Sequence, residues 1–176
     1  MTAGIAANLA LRLSILYFLV EVLLKPNDPR FRGKAIPIRN AIIVITFTSL
    51  FPALRWIARR WRSYPVSLDN LYLSIFWLDM AGNSFDLYDR YYHFDLIPHF
   101  HGSGALAAVL RGLDMSPLRA FVIANTVHAG LEAQEYLTDV LFGTHNVRGL
   151  SDTVGDLTAG LLGTLAYLSI AEAADR

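Results

Sequence analysis

Long apolar stretches separated by short polar connections run along the whole chain. A membrane helix needs about 20 mostly apolar residues, because each residue rises about 1.5 Å through a hydrocarbon layer about 30 Å thick. Six stretches approach that length. We therefore predict an all-α, polytopic transmembrane helical bundle in a single integral membrane domain, residues 1–176, with helices near 5–24, 38–57, 68–88, 96–113, 118–142 and 153–171.

The first two stretches have the most uniformly apolar pattern. Residues 1–24 look superficially like a secretion signal, but a basic start is missing and the apolar run is long, so we predict a retained membrane helix. Arg12 and Glu21 lie close enough to its ends to reach the interface or to pair. Pro52 is expected to kink the second helix, because proline has no backbone N–H to donate.

The fifth stretch breaks the apolar pattern most clearly. His128, Glu132, Glu135 and Asp139 follow one another at intervals of four, three and four residues. At about 100° per residue these side chains share one face of a helix. A charged group at the centre of a bilayer costs about 2.5–3.5 kcal/mol. Two carboxylates in an apolar site therefore share a proton or bind a cation.

Three other helices carry similar polar stripes. The third has Asp79, Asn83 and Asp86, the fourth begins with Asp95, His99 and His101, and the sixth begins with Asp152 and Asp156 before Gly160 and Gly163. If the stripes converge, they form a buried metal site. The predicted ligands are Asp95, His99, Glu132, Glu135, Asp152 and Asp156; the predicted bases are His128 and His101; and the predicted outer residues are Asp79, Asn83, Asp86 and Asp139.

Other interpretations of these stripes remain open. The acids could form a neutral network that shares protons, or they could face water. Asp152 could cap a helix, Asp139 could be structural at the membrane interface, and His101 could make a lone polar contact, since it points away from His99 on a helix.

Composition narrows the chemistry. The chain is 54% hydrophobic and 17% charged, against about 25% charged in ordinary soluble domains. Its formal net charge is zero, so nothing indicates a nucleic-acid partner. There is no cysteine, which excludes disulfides and thiolate ligands. Oxygen donors with imidazoles suit a divalent ion such as Mg, Mn, Fe, Zn or Ca.

The polar motifs also resemble those of a known family. Asp95, His99, Phe100 and Gly102 match in order a stretch of the YjdF-like bacterial inner-membrane proteins. Glu132-x-x-Glu135 and Asp152-Thr153-x-x-Asp156 fit the motifs that follow there, and the distantly similar VanZ-like proteins share the same skeleton. Asp89 and His93 offer the Asp/His spacing six residues upstream, but Gly102 favours Asp95 and His99. The resemblance implies a polytopic helical protein of the bacterial inner membrane with a polar centre.

Three classes of function fit these patterns. The first is an intramembrane metal-dependent hydrolase, transferase or oxidoreductase acting on a lipid or another lipophilic substrate. The second is an ion- or proton-coupled transporter, since carboxylates and histidines form proton pathways in membrane helices. The third is an accessory or structural subunit. The expected surroundings are membrane lipid, and the expected assembly is a homo-oligomer or a larger membrane complex.

Overall fold

The computed structural model describes residues 2–32, 34–58 and 64–174, and this part of the chain is helical without strands. Its contacts divide it into two compact units, Met1–Phe85 and Asp86–Arg176. The first unit contains α1 (Ala3–Leu24), α2 (Ile36–Ile42), a π-helical turn (Ile43–Phe47), α3 (Leu50–Ile57) and α4 (Val66–Ser84). The second contains α5 (Leu87–Arg90), α6 (Leu96–Gly112), α7 (Pro117–Phe142) and α8 (Leu150–Ala174).

Three helical segments of the described chain are long and apolar enough to cross a membrane: Ala3–Leu24, Ile36–Ile57 and Leu150–Ala173. These segments indicate a membrane protein. The other three predicted spans also form helices, α4, α6 and α7, but α6 has only 17 residues, and α4 and α7 carry acidic and amide side chains. Length and composition therefore support three spans, and the finer prediction of six goes beyond them.

The second span is broken by a π-helical turn rather than bent at Pro52 alone. Because Pro52 has no N–H, the carbonyl of Thr48 lacks the donor that a continuous helix would provide four residues later. The guanidinium of Arg12 on α1 donates to that carbonyl oxygen instead. The predicted interruption is therefore compensated by a side chain from the neighbouring helix.

The same arginine joins a buried polar network between α1 and α4. Arg12 Nη2 lies 2.6 Å from Asp69 Oδ2, which also accepts hydrogen bonds from Asn8 at 2.7 Å and from the Tyr64 hydroxyl at 2.6 Å. Asp69 is fully buried. Burial and the adjacent Asp69 carboxylate raise the pKa of Tyr64, so that its hydroxyl stays protonated and donates. The network ties α4 to α1 beside the apolar core of this unit.

Removing the carboxylate of this network should destabilise the protein. Asp69→Ala leaves Arg12 without its anion, and a buried pair that loses one partner costs about 3–5 kcal/mol. Arg12 is 25% exposed, so we expect about 2 kcal/mol in a denaturant titration in detergent. The double variant Arg12→Met/Asp69→Leu should regain part of this loss, and a loss below about 0.5 kcal/mol in Asp69→Ala would contradict the assigned role.

Two further ion pairs involve polar residues of the first unit. Asp79 on α4 lies 3.0 Å from the Arg39 guanidinium, and Asn83 donates to the Asp79 carbonyl oxygen at 3.0 Å. Glu21 lies 3.1 Å from Arg30 in the loop after α1. In that loop, side-chain hydrogen bonds from Arg30 lower the pKa of Asp28 to about 2. Asp79, predicted as an outer residue of a metal site, is therefore paired with an arginine.

The sequence predicts that the third helix ends near residue 88, but α4 ends at Ser84. Asp86 adopts a left-handed conformation with φ of 61°, which a right-handed helix cannot contain. Its carboxylate pairs with Arg90 of α5 at 3.1 Å. The turn therefore splits the predicted polar stripe of Asp79, Asn83 and Asp86. Only Asp79 and Asn83 belong to α4, and Asp86 does not continue their helix face.

In the second unit, α6 packs very closely against α8, and α7 packs against both. Glycines make the close approach of α6 and α8 possible. A methyl group on Gly163 would overlap the backbone carbonyl of Phe100, and one on Gly104 would lie 2.7 Å from the Gly163 carbonyl oxygen. Small residues at such contacts are typical of membrane helix pairs. This contact fixes the position of α6 along the axis of α8, and so determines which polar residues of the two helices lie side by side.

Candidate metal centre

Three helices of the second unit bring two imidazoles and three carboxylates together. Asp95 and His99 come from the start of α6, His128 and Glu132 from the middle of α7, and Asp156 from the second turn of α8. Asp95 and His99 are four residues apart, as are His128 and Glu132, so each pair lies on one helix face. Each of the three helices thus contributes one or two side chains of its polar stripe to the cluster.

Three donor atoms form a compact triangle. His99 Nδ1 lies 2.8 Å from His128 Nε2 and 3.4 Å from Glu132 Oε1, and His128 Nε2 lies 3.5 Å from the same oxygen. The two rings are stacked, with centroids 4.9 Å apart. We call these three residues the donor triangle.

The opposite edge of the His99 ring faces two acids. His99 Nε2 lies 3.3 Å from Asp95 Oδ1 and 3.9 Å from Asp156 Oδ1. One imidazole therefore takes part in two groups, the donor triangle through Nδ1 and an acidic group through Nε2. The Asp95 and His99 side chains are 18% and 17% exposed, whereas Glu132 is 6% exposed, so the cluster is less enclosed at its Asp95 side.

Several buried atoms of this cluster have no hydrogen-bond partner among the described residues. They are Glu132 Oε1, Asp156 Oδ1 and His128 Nδ1. Neither Glu132 nor Asp156 pairs with a lysine or arginine of the described chain, and the basic groups near them are the two histidines. A buried carboxylate oxygen without a donor is costly, since it has lost its hydration. This arrangement has the composition and spacing of a site for a cation.

A glycine on α8, Gly160, leaves the space that the His128 ring occupies. A methyl group on Gly160 would overlap the Nδ1 edge of the His128 ring and would lie 2.7 Å from Ser103 Oγ. The ring therefore occupies the space that a side chain at this position would fill. His128 Nδ1 has no hydrogen-bond partner among the described residues, so the ring is held by packing and by the contact of its Nε2 with His99 Nδ1 at 2.8 Å.

The other predicted ligands are elsewhere. Glu135 is half-buried and belongs to neither donor group of the described residues. Asp152 is the third residue of α8 and accepts a hydrogen bond from the Arg148 backbone N–H at 3.0 Å, so it lies inside the helix rather than at the cap position that the sequence left open. The structure thus brings together four of the six predicted ligands, Asp95, His99, Glu132 and Asp156, although their role as ligands stays a prediction.

Of the two predicted bases, one lies in the cluster and the other does not. His128 was assigned to proton transfer, but its Nε2 is a corner of the donor triangle. His101 lies with Nδ1 2.8 Å from the Tyr167 hydroxyl, on a different side of α6 from His99, and it belongs to neither donor group of the described residues. His93, the alternative partner of Asp89, is exposed and stacks edge-on against Tyr92.

Asp139, predicted as an outer residue, anchors the loop after α7. Its carboxylate accepts hydrogen bonds from the Thr144 hydroxyl at 2.6 Å and from the backbone N–H groups of Asn146 and Val147 at 2.8 Å each. Gly143 ends the helix in a left-handed conformation with φ of 65°, which glycine adopts without strain. Asp139 therefore shapes the turn between α7 and α8.

Comparison with known proteins adds no relative. No protein-family model, curated protein or solved structure matches the chain.

Proposed function

We propose that this chain is an intramembrane metal-dependent enzyme whose ion is held by His99, His128 and Glu132. The observation that carries the proposal is the donor triangle, in which two ring nitrogens and one unpartnered carboxylate oxygen from two helices lie 2.8, 3.4 and 3.5 Å apart. Ligands about 2.0–2.2 Å from one ion are separated by about 3–3.5 Å in tetrahedral or octahedral geometry. The spacing of the three atoms therefore suits one ion between them.

The donor set favours some ions over others. Two histidines and one carboxylate are used by catalytic zinc sites and by non-haem iron(II) sites, both of which leave coordination positions open. Magnesium and calcium prefer sites made mostly of oxygen atoms. We therefore expect zinc, iron or manganese. An ion in such a site supplies Lewis acidity and lowers the pKa of bound water, which suits hydrolysis or group transfer, and iron would suit oxidation.

The surroundings of the cluster favour a lipophilic substrate. Val127 and Leu131 adjoin His128 and Glu132 in the sequence and are 45% and 52% exposed, and Leu157 beside Asp156 is 36% exposed. The polar atoms thus lie within helices whose outer faces are apolar. A lipid or another apolar molecule could reach the cluster from those faces, while Asp95 offers a more exposed, polar approach for water.

The wider assignments are part of the same proposal. We place all six predicted helices in a bacterial inner membrane and the chain in the YjdF-like family. The family assignment rests on the order of the motifs in the sequence, which contain Asp95, His99, Glu132 and Asp156. Helices α4, α6 and α7 would be shielded from lipid on their polar faces by their neighbours, as intramembrane acids require.

Metal analysis tests the proposal directly. Protein purified in detergent, stripped with a chelator and dialysed against zinc, iron(II) or manganese in turn should retain about one ion per chain by elemental mass spectrometry. The metal-loaded protein should then change the mass of one lipid class in a bacterial lipid extract, and the stripped protein should not. Metal content no higher than that of a protein-free detergent sample would overturn the metal centre. Stoichiometric metal with no change in any lipid would overturn the enzymatic part alone.

A further inference from the structure

We propose that Asp95 is a positioning residue, which holds His99 in the tautomer whose Nδ1 lone pair is directed into the donor triangle. This inference rests on the proposed metal centre and adds a role for the acids that face the other side of His99.

The two nitrogens of the His99 ring have different surroundings. A neutral imidazole carries one proton, on Nδ1 or on Nε2. Nε2 faces two carboxylate oxygens, Asp95 Oδ1 at 3.3 Å and Asp156 Oδ1 at 3.9 Å. A carboxylate accepts hydrogen bonds and donates none, so the proton belongs on Nε2. Nδ1 then keeps its lone pair and is free to bind an ion.

Asp95 contacts His99 through a side chain that makes no other polar contact among the described residues. Asp95 is the residue just before α6 and lies one turn before His99, so the two side chains come from the same end of one helix.

His128 differs from His99 in the surroundings of its remote nitrogen. Its remote ring nitrogen, Nδ1, has no hydrogen-bond partner in the described chain, and packing over Gly160 holds the ring. The two rings contact each other through His99 Nδ1 and His128 Nε2, and they differ at the remote nitrogen, which faces an anion in His99 and has no hydrogen-bond partner in His128. A carboxylate behind a ligating histidine also raises the basicity of the ring, and losing it costs about 10–100-fold in metal affinity.

The test compares metal affinity among variants by competition with a chelating dye in detergent. Wild type should bind zinc most tightly, Asp95→Ala should bind it about 10–100-fold more weakly, and Asp95→Asn should fall between them, since its amide oxygen accepts a hydrogen bond without the charge. Asp89→Asn is the matched control, because Asp89 is an exposed acid of α5 in the same unit, and its affinity should equal that of wild type.

A spectroscopic readout separates positioning from general stability. In the cobalt(II) form, the N–H proton of a ligating imidazole gives a strongly shifted NMR signal that exchanges with water. Wild type should show the His99 Nε2–H signal, and Asp95→Ala should lose it through faster exchange while keeping the His128 signal.

Each outcome decides between the proposals. If wild type binds one ion and Asp95→Ala binds it equally well with an unchanged cobalt spectrum, Asp95 has no positioning role and the metal centre stands. If wild type binds two ions and Asp95→Ala binds one, Asp95 is a ligand of a second ion and the positioning role is wrong. If wild type binds none, both proposals fail.

Discussion

Glu132→Ala should abolish metal binding, whereas Glu135→Ala should leave it nearly unchanged. Glu132 supplies the one anionic corner of the donor triangle, and its Oε1 lies 3.4 Å from His99 Nδ1 and 3.5 Å from His128 Nε2. Without this charge an ion would keep two neutral ligands, and affinity should fall by more than about 100-fold, beyond the effect of outer-shell changes. Calorimetry with zinc in detergent measures the difference.

Glu135 is a close internal control for this experiment. It is the same residue type on the same helix, three positions away, and it belongs to neither donor group among the described residues. Equal losses of affinity in the two variants would show that the effect is not specific to the Glu132 carboxylate, which would contradict the donor triangle. Unchanged affinity in Glu132→Ala would remove the donor triangle as the binding site.

Gly163→Ala should have the largest effect on stability of any single methyl group in the second unit. The added carbon would overlap the carbonyl oxygen of Phe100, which belongs to the α6 backbone and cannot turn aside as a side chain can. Overpacking costs about 1–3 kcal/mol, and a clash with backbone belongs at or above the upper end, so we expect about 3 kcal/mol. Chemical denaturation in detergent measures the loss.

The comparison for this variant is Gly155→Ala, on the same helix. The nearest atom to its added carbon would be Leu96 Cδ2 at 3.6 Å, an ordinary contact. Alanine is favoured over glycine within helices by about 0.5–1 kcal/mol, so this variant should be neutral or slightly more stable. If both variants have the same stability, α6 and α8 are not packed as closely as the structure indicates.

The helices could be predicted because the length of an apolar run is a local property of the sequence. The span near 5–24 corresponds to α1 (Ala3–Leu24), and the run near 118–142 corresponds to α7 (Pro117–Phe142). The turn at Asp86 could not be seen, since aspartate adopts both right-handed and left-handed conformations and no glycine marks the break.

The convergence of the polar stripes was harder to predict. Spacing in the sequence gives the angle of a residue around its helix, but it does not give the position of that residue along the axis relative to a neighbouring helix. Glu132 and Glu135 both lie within about 40° of His128 around α7, so angle does not distinguish them. Along the axis, however, Glu135 is seven residues from His128, or about 10 Å, while Glu132 is about 6 Å away. The position along α7 at which a carboxylate can meet His99 and Asp156 is set by α6 and α8, and the contact between those two helices depends on their glycines.

The exchange of volume between His128 and Gly160 gives a rule for recognising distant relatives of this chain. The imidazole fills the room that the missing side chain leaves, so the two positions are physically coupled although they lie on different helices. A homologous sequence that keeps the histidine must keep glycine at its partner position. One that carries a larger residue there must have lost the ring or moved it, and with it the second ring nitrogen of the donor triangle. In alignments of divergent sequences, this pairwise substitution pattern would separate chains that retain the chemistry from those that retain only the scaffold.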